Sequence, residues 1–305
     1  MKAHGRLIGV FLALASATLY GITPYFVNIA FDHGADPFGL MTARYIIASA
    51  LLLIIRLIRL PRAPWPSRRT FVHLFLLGSI GLYLNSVCVF SALRLMDSGL
   101  VMVIFYFYPV VVVLLSWAFH RHKPDSIIWL CLTFTVGGVA LSASDVSGGA
   151  IGGVILIIVG AFTYAIYSVI GSRLMPETDV MTGLLIVLFG AACSFTVVWL
   201  INPPGMPTTM PHDIASWLSA VEIAVPGTIA AMGLFFAGMN RIGAGRSAVV
   251  QTSEVLVTVT MGLIFLGESL TGRQVVGAVL ILGGVILLAQ KEAKRVDLPT
   301  TQVHV

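Results

Sequence analysis

Long apolar runs alternate with short polar connections along the whole chain. A helix needs about 20 apolar residues to cross the hydrocarbon core of a bilayer, and ten runs approach or reach that length. The pattern therefore predicts an all-α integral membrane protein with ten transmembrane helices. The predicted spans lie near residues 7–31, 37–59, 70–93, 98–119, 124–143, 148–170, 178–201, 213–239, 245–266 and 270–290.

Composition supports a membrane location. Of the 305 residues, 58% are hydrophobic and 10% are charged, whereas a soluble globular chain carries about 25% charged residues. The connections are too short to hold an inserted soluble domain. The net charge of +5 does not indicate a nucleic-acid partner, because the basic residues are spread over these short connections.

Positive charge is concentrated on one side of the predicted membrane. With the N-terminus in the cytoplasm, fifteen Lys and Arg residues lie on the cytoplasmic side, and only Arg94 and Arg273 lie outside. Cytoplasmic connections carry such an excess. We therefore expect a protein of a prokaryotic-type plasma (inner) membrane with both termini in the cytoplasm. The polar tail at 291–305 is expected to lie there and to contact lipid.

The first span resembles a signal peptide in one respect. A short basic start precedes it, and Ala15-Ser16-Ala17 resembles a signal-peptidase site. However, the apolar run continues to Ala30, and the internal repeat described below needs this span as a partner. We therefore expect the first span to be retained.

Neither the cysteines nor the histidines indicate a metal or another cofactor. The three cysteines fall inside apolar spans without metal-ligand spacing, which is typical of small buried side chains. They are Cys88, Cys131 and Cys193. His120, His122 and Asp125 share a connection with two cationic residues, which disfavour a bound metal ion.

The second half of the chain repeats the first at an offset of 144 to 146 positions. The matches include Tyr20 with Tyr164, Gly99 with Gly245, Tyr108 with Glu254, and Gly137-Gly138 with Gly283-Gly284. Each copy, 7–143 and 148–290, contains five predicted spans. Because five is odd, the second copy enters the membrane from the opposite face. Such inverted repeats recur in secondary transporters, which hold substrate near the midplane between the halves.

The motifs resemble those of a known family. The stretch 265–271 reads FLGESLT and is followed by Gln274, Gly277 and Gly283-Gly284-Val285. With Tyr108-Pro109, it resembles the EamA domains of the drug/metabolite transporter superfamily over residues 7–290. Where the family commonly has Glu-Pro in the ninth span, this chain has Glu254-Val255, so the proline that would break that helix is absent. The resemblance implies ten helices, a cytoplasmic N-terminus and movement of small metabolites. It also allows a homodimer through the last helix of each half.

Glu254 is the principal candidate for transport chemistry. A carboxylate inside a membrane span is costly and usually functional. We expect it to alternate between a proton and a substrate amine, with Gln251 beside it. The alternative is a protonated side chain that contributes only to packing.

Aromatic and polar residues near the midplane are candidates to line a shared cavity. Tyr20 and Tyr164 occupy matching positions of the two copies, and Tyr108 matches Glu254. Their hydroxyl groups could bond a solute while the rings flank it. Asn85 and Thr163 are further candidates, although such residues also form hydrogen bonds between helices.

Three other charged residues are assigned structural roles. Arg44 lies in the outer third of the second span and is expected to form an ion pair with Asp36 or, at a greater distance, Glu222. Its long stem can also reach the headgroups. Glu268 is a helix-end residue by the family motif and is expected to bond into the turn before the tenth helix.

These features favour a secondary transporter that works by alternating access. We expect it to export a small metabolite, such as an amino acid or a similar zwitterion or cation. A broad exporter of drugs or toxic cations and an uncoupled facilitator remain alternatives. The chain carries no phosphate-binding loop for ATP and no recognisable hydrolytic motif, so we expect no enzyme. A membrane scaffold or sensor is a further alternative, but it should carry a soluble module or a long tail, and the tail here is short.

Overall fold

The computed structural model describes residues 2–120, 126–144, 150–204 and 208–296, and these ranges contain helices and connecting turns with no strand. The helices of the first half are α1 (Lys2–Asp32), α2 (Pro37–Arg59), α3 (Arg68–Leu76), α4 (Tyr83–Leu93), α5 (Ser98–Phe105), α6 (Tyr108–His120) and α7 (Ser126–Ala143). Those of the second half are α8 (Ala150–Leu174), α9 (Val180–Ile201), α10 (Ile214–Ala224), α11 (Ala231–Ile242), α12 (Ala244–Gln251), α13 (Ser253–Met261) and α14 (Gly272–Val296). The all-α class expected from the apolar runs is confirmed over this part of the chain.

Two pairs of these helices are continuous through a π-helical turn. Leu77–Leu82 joins α3 to α4, and Val225–Ala230 joins α10 to α11. A third π turn, Gly262–Leu266, ends the ninth predicted span. Pro226 lies in the second of these turns, where its missing N–H removes one helical hydrogen bond and favours the wider winding.

Two other predicted spans are interrupted near their middle. The fourth span breaks at residues 106–107, next to Pro109, which cannot donate a backbone hydrogen bond. The ninth span breaks at Thr252, although no proline is present there. The absence of the family's proline therefore does not abolish the interruption. Both breaks adjoin the pair Tyr108 and Glu254.

Eight helices of the described chain are long and apolar enough to cross a membrane. The two shorter apolar helices, Ser98–Val112 and Trp129–Ala143, occupy the positions of the fourth and fifth predicted spans. Large apolar side chains also cover the outside of the bundle, with Ile214 80% exposed and Val279 66% exposed. A surface of this kind is stable against lipid and costly against water.

Helix packing follows one scheme in both halves. Helix α1 packs against α11 and α13 of the second half, while α8 packs against α4 and α6 of the first. Helices α2 and α9 pack together, and so do α7 and α14. The two halves are therefore interleaved, and the centre of the bundle lies between them.

Candidate functional site

A cavity of about 350 Å³ lies at the centre of the bundle. Its walls come from α1, α2, α4, α5 and α6 of the first half and from α8, α9, α11, α12 and α13 of the second. Ligand pockets in proteins measure roughly 300–1,000 Å³, so this cavity is suited to a small solute. Helices α7 and α14, which form the last predicted span of each half, provide none of the described lining residues.

Most of the residues expected from the sequence meet at this cavity. Those that line it are Tyr20, Asn85, Tyr108, Tyr164, Gln251 and Glu254. Thr163 is not among the lining residues, and its hydroxyl donates to the Gly160 carbonyl of the same helix at 2.9 Å. The Asn85 amide donates to the same carbonyl at 3.0 Å. Asn85 therefore bridges α4 and α8 while it faces the cavity.

The Glu254 carboxylate is held by two donors. The Tyr106 hydroxyl lies 2.9 Å from Glu254 Oε2, and the Gln251 amide nitrogen lies 3.1 Å from the same oxygen. The Tyr106 hydroxyl also lies 2.9 Å from the backbone carbonyl oxygen of Gln251. These contacts orient the carboxylate at the cavity wall. They also stabilise it, because a carboxylate removed from water without hydrogen bonds would be strongly destabilised.

Tyr106 is a residue at this site that the sequence pattern did not single out. It belongs to an aromatic run, 105–108, whose successive side chains point in different directions around a helix. Only the interruption of the fourth span at residues 106–107 settles which of them meets Glu254. At the offset of 146 positions the repeat partner of Tyr106 is Thr252, which lies at the break in the ninth span.

Aromatic rings form one wall of the cavity. Tyr108 and Tyr164 meet edge to face, with ring centroids 4.7 Å apart. The ring of Tyr164 also lies 5.4 Å from that of Phe105 and 5.7 Å from that of Tyr167. Packed rings of this kind lose little conformational freedom when a ligand binds, and their negative faces attract cations.

Arg44 lies on the cavity wall and not in the expected ion pair with Asp36. Its Nε and Nη2 donate to the Thr228 hydroxyl at 3.1 and 2.9 Å. Asp36 instead pairs with Arg94. Glu222 lies close enough for its charge to interact with that of Arg44, yet it forms no ion pair within 4 Å with any described residue and is not among the described residues that line the cavity.

Glu268 stabilises a helix end other than the expected one. Its two carboxylate oxygens accept hydrogen bonds from the backbone N–H groups of Ser98 and Gly99, at 2.8 and 3.1 Å. It therefore caps the N-terminus of α5, where a negative charge is favourable. The turn before α14 is closed instead by Thr271 and Gln274, which bond to each other's backbone N–H groups.

The loop that contains His122 and Asp125 lies outside the described residues, as does the tail from residue 297. Within the ranges that the structure covers, no three His, Cys, Asp or Glu side chains gather in a way that could hold a metal ion.

Comparison with known proteins shows the family of the chain. A model of the EamA-like transporter family matches residues 7–144 and again residues 151–290. The protein belongs to the EamA-like transporter family. The membership indicated by the FLGESLT stretch and its neighbours is thereby confirmed, and the protein is a membrane transporter.

Several curated proteins are similar to this EamA-like transporter. The uncharacterized transporter YwfM of Bacillus subtilis is 22% identical over 95% of this chain and 96% of its own. Protein PecM of Dickeya dadantii is 25% identical over 87% of each chain. The uncharacterized transporter sll1319 of Synechocystis is 26% identical over 68% of this chain and 63% of its own. Two of these three relatives are named as transporters.

A solved crystal structure shares the fold. It covers 97% of this chain with a TM-score of 0.60 and 19% identity. At this identity the likeness concerns the fold alone.

The cavity of this EamA-like protein is lined by matching positions of the two family segments. Offsets of 144 or 146 positions relate one lining residue to another in many cases. The pairs are Tyr20 and Tyr164, Thr23 and Tyr167, Arg44 and Leu188, Leu82 and Thr228, Ser86 and Met232, Val89 and Phe235, Phe90 and Phe236, Phe105 and Gln251, and Tyr108 and Glu254. The two segments therefore contribute to the cavity in the same way.

Proposed function

We propose that this protein is a secondary transporter that exports a small zwitterionic or cationic metabolite, such as an amino acid, by alternating access. The observation that carries the proposal is the central cavity, which combines the Glu254 carboxylate with a wall of tyrosines. A cation is attracted both by the carboxylate and by the faces of the rings. The small volume of the cavity favours a metabolite over a larger drug.

The architecture that alternating access needs is a pair of inverted five-helix repeats, residues 7–143 and 148–290. Helix packing supports this arrangement. Exchanging the two halves turns the contacts of α1 with α11 and α13 into those of α8 with α4 and α6. It also exchanges α2 with α9 and α7 with α14, which are the pairs in contact. Related packing on both sides of a cavity allows similar inward-open and outward-open states.

Ten membrane-spanning segments and two cytoplasmic termini complete this proposal. The fourth and fifth segments are the short apolar helices, and the excess of Lys and Arg on one side sets the orientation. The expected location is a prokaryotic-type inner membrane. A cysteine introduced next to either terminus should react with a membrane-impermeant thiol reagent only after the cells are permeabilised.

Glu254 is proposed to couple transport to protons. In one state the carboxylate holds a proton, and in the other it holds the ammonium group of the solute. The two species compete for the same oxygens, so binding of one releases the other. Tyr106 and Gln251 keep the carboxylate oriented in both states through the hydrogen bonds described above.

The test is uptake of a labelled amino-acid panel into liposomes that contain the purified protein, with and without an outward proton gradient (acidic interior), which drives uptake by exchange. We expect gradient-dependent transport that Glu254→Gln abolishes. Glu222→Gln is the matched control, because Glu222 is also a carboxylate within the helices but does not line the cavity. It should leave the gradient dependence intact.

Other outcomes would select a different function. Equal transport by the wild type and Glu254→Gln, at all pH values, would indicate an uncoupled facilitator. If folded protein carries cationic dyes and no amino acid, it is an exporter of drugs or toxic cations.

A further inference from the structure

The Arg44 guanidinium is incompletely matched by the protein. It has five N–H donors. Nε and Nη2 both use the Thr228 hydroxyl, and Nη1 lies 3.8 Å from the Met41 sulfur, which is a weak acceptor. The rings of Tyr45 and Phe90 flank the group at 5.3 Å. These neighbours hold the guanidinium in place but leave most of its hydrogen-bonding capacity open.

No described carboxylate lies within 4 Å of this guanidinium. Asp36, the nearest acidic residue in sequence, pairs with Arg94. Glu222 interacts with Arg44 only at longer range. A charge taken out of water needs a partner close enough to offset its lost hydration. Because Arg44 lines the cavity, the cavity is where such a partner can bind.

Glu254 supplies the opposite charge in the same cavity. The side chain of Tyr20 lies within electrostatic range of both Arg44 and Glu254. The space around Tyr20 is therefore influenced by a positive group and a negative group together. Both groups line one cavity of about 350 Å³, and a zwitterion whose two charged groups are spaced to match them can meet both.

The charges break the near-symmetry of the cavity lining. The repeat partner of Arg44 is Leu188, that of Thr228 is Leu82, and that of Glu254 is Tyr108. Each of these groups thus occurs in one half only, and the matching position of the other half holds an apolar or aromatic residue. A symmetric frame with a fixed positive and a fixed negative group favours one orientation of a dipolar solute.

We propose that Arg44, held by Thr228, is the specificity-determining residue that binds the carboxylate of a zwitterion while Glu254 binds its ammonium group. This inference rests on the proposed function and deepens it. The cavity then selects solutes with both charges. Amines without a carboxylate and carboxylates without an amine bind weakly, because each leaves one charged group of the cavity wall unmatched.

The test measures binding to the purified protein in nanodiscs at neutral pH. The probe is labelled leucine, competed by isoamylamine, which lacks the carboxylate, and by 4-methylpentanoate, which lacks the amine. Losing a charge-assisted hydrogen bond weakens binding by roughly tenfold or more. We expect both analogues to compete at least about tenfold more weakly than unlabelled leucine.

Variants locate the effect. Arg44→Gln should weaken leucine binding by about tenfold or more and leave isoamylamine binding unchanged. Thr228→Val keeps the positive charge but removes the hydroxyl that holds it, and it should weaken leucine binding by a smaller factor. Arg59→Gln is the matched control, because Arg59 is exposed on the same helix and lies outside the cavity.

Several results would overturn the inference. One is a wild type that binds isoamylamine as tightly as leucine. Another is an Arg44→Gln protein that binds leucine normally or loses affinity for both ligands equally. If leucine does not bind, alanine and phenylalanine replace it together with their own amine and acid analogues. A wild type that prefers no zwitterion in the three sets also overturns the inference.

Failure of the proposed function gives a different signature. Two-charge selectivity in nanodiscs without any movement of the bound amino acid into liposomes would leave the binding assignment standing and would contradict transport. Proton-coupled transport that Arg44→Gln does not affect would contradict the binding assignment and leave the proposed function standing.

Discussion

Glu254 shows how neighbouring side chains hold a carboxylate inside a bundle of apolar helices. Its carboxylate oxygen accepts hydrogen bonds from Tyr106 and Gln251, which come from both interrupted helices. The Tyr106 hydroxyl in addition reaches the Gln251 carbonyl. The sequence pattern identified Glu254, because a carboxylate in an apolar run is rare, and it identified Gln251 as a polar neighbour of Glu254. It could not identify Tyr106, because four neighbouring aromatics are equivalent in pattern.

Tyr106→Phe should reduce amino-acid transport by roughly tenfold, because it removes a hydrogen bond to a buried charged group. Tyr108→Phe is the matched control. Tyr108 is two residues away and lines the same cavity, but its hydroxyl has no described hydrogen bond to Glu254. The measurement is initial uptake into liposomes. Equal losses in the two variants would contradict a specific role for the Tyr106 hydroxyl.

Glu268 links two elements that are distant in sequence. The FLGESLT stretch allowed a helix-end role to be predicted for it, yet the helix that it caps is α5 of the other half. Gly267 precedes it with a φ of 66°, a conformation that glycine adopts without strain. A motif at one end of the chain therefore stabilises the fourth predicted span.

Glu268→Ala should lower the free energy of unfolding by about 1–2 kcal/mol, since a cap and a favourable charge at a helix N-terminus are both lost. Glu268→Gln keeps an acceptor and should lose less. The check is thermal unfolding in detergent. A Gln variant as unstable as the Ala variant would show that the charge, and not the hydrogen bond, stabilises α5.

Two adjacent glycines in α7, Gly137 and Gly138, differ in their contacts with the neighbouring helix. A Cβ on Gly138 would lie 2.7 Å from the Gly277 carbonyl oxygen of α14, whereas one on Gly137 would meet nothing within 4 Å. In the sequence both glycines match the Gly283-Gly284 pair of the second copy, and the pattern does not distinguish them. The structure assigns the close contact to Gly138, because neighbouring residues on a helix point about 100° apart.

Gly138→Ala should therefore destabilise the protein by about 1–3 kcal/mol through forced separation of α7 and α14. Gly137→Ala should be neutral or stabilising by up to about 1 kcal/mol, because alanine is the better helix former. Thermal unfolding of both variants provides the comparison. Similar melting temperatures for the two variants would contradict a close contact between Gly138 and α14.

At the scale of the whole molecule, contacts at one end of the bundle join the two halves. The His33 Nδ1 lies 2.5 Å from Asp213 Oδ2, between the end of α1 and the start of α10. Hydrogen bonds from the Ser216 side chain and backbone, together with His33, hold the pKa of Asp213 at about 2. The carboxylate is therefore charged at physiological pH. Asp36 and Arg94 form a second ion pair, within the first half.

Linking the halves at this point should stop transport, if the halves move as alternating access requires. His33→Cys combined with Asp213→Cys, bridged by a short bifunctional thiol reagent, should block uptake into liposomes, and reduction should restore it. The control is Asp36→Cys with Arg94→Cys, which links positions of one half and should leave transport active. Full transport by the first bridged protein would contradict relative movement of the halves at this end.

The sequence by itself determined that the chain is a helical membrane protein, which segments are apolar, that its two halves repeat, and that it belongs to the EamA-like transporters. These properties depend on local hydrophobicity, spacing and motif, and can be read without knowing which residues touch. Only the tertiary structure decided that Tyr106 meets Glu254, that Glu268 caps α5, and that Arg44 faces the cavity and not Asp36. Each of these outcomes depends on how a helix is rotated about its axis and on where it is interrupted. Both depend on contacts with residues that are far apart in sequence.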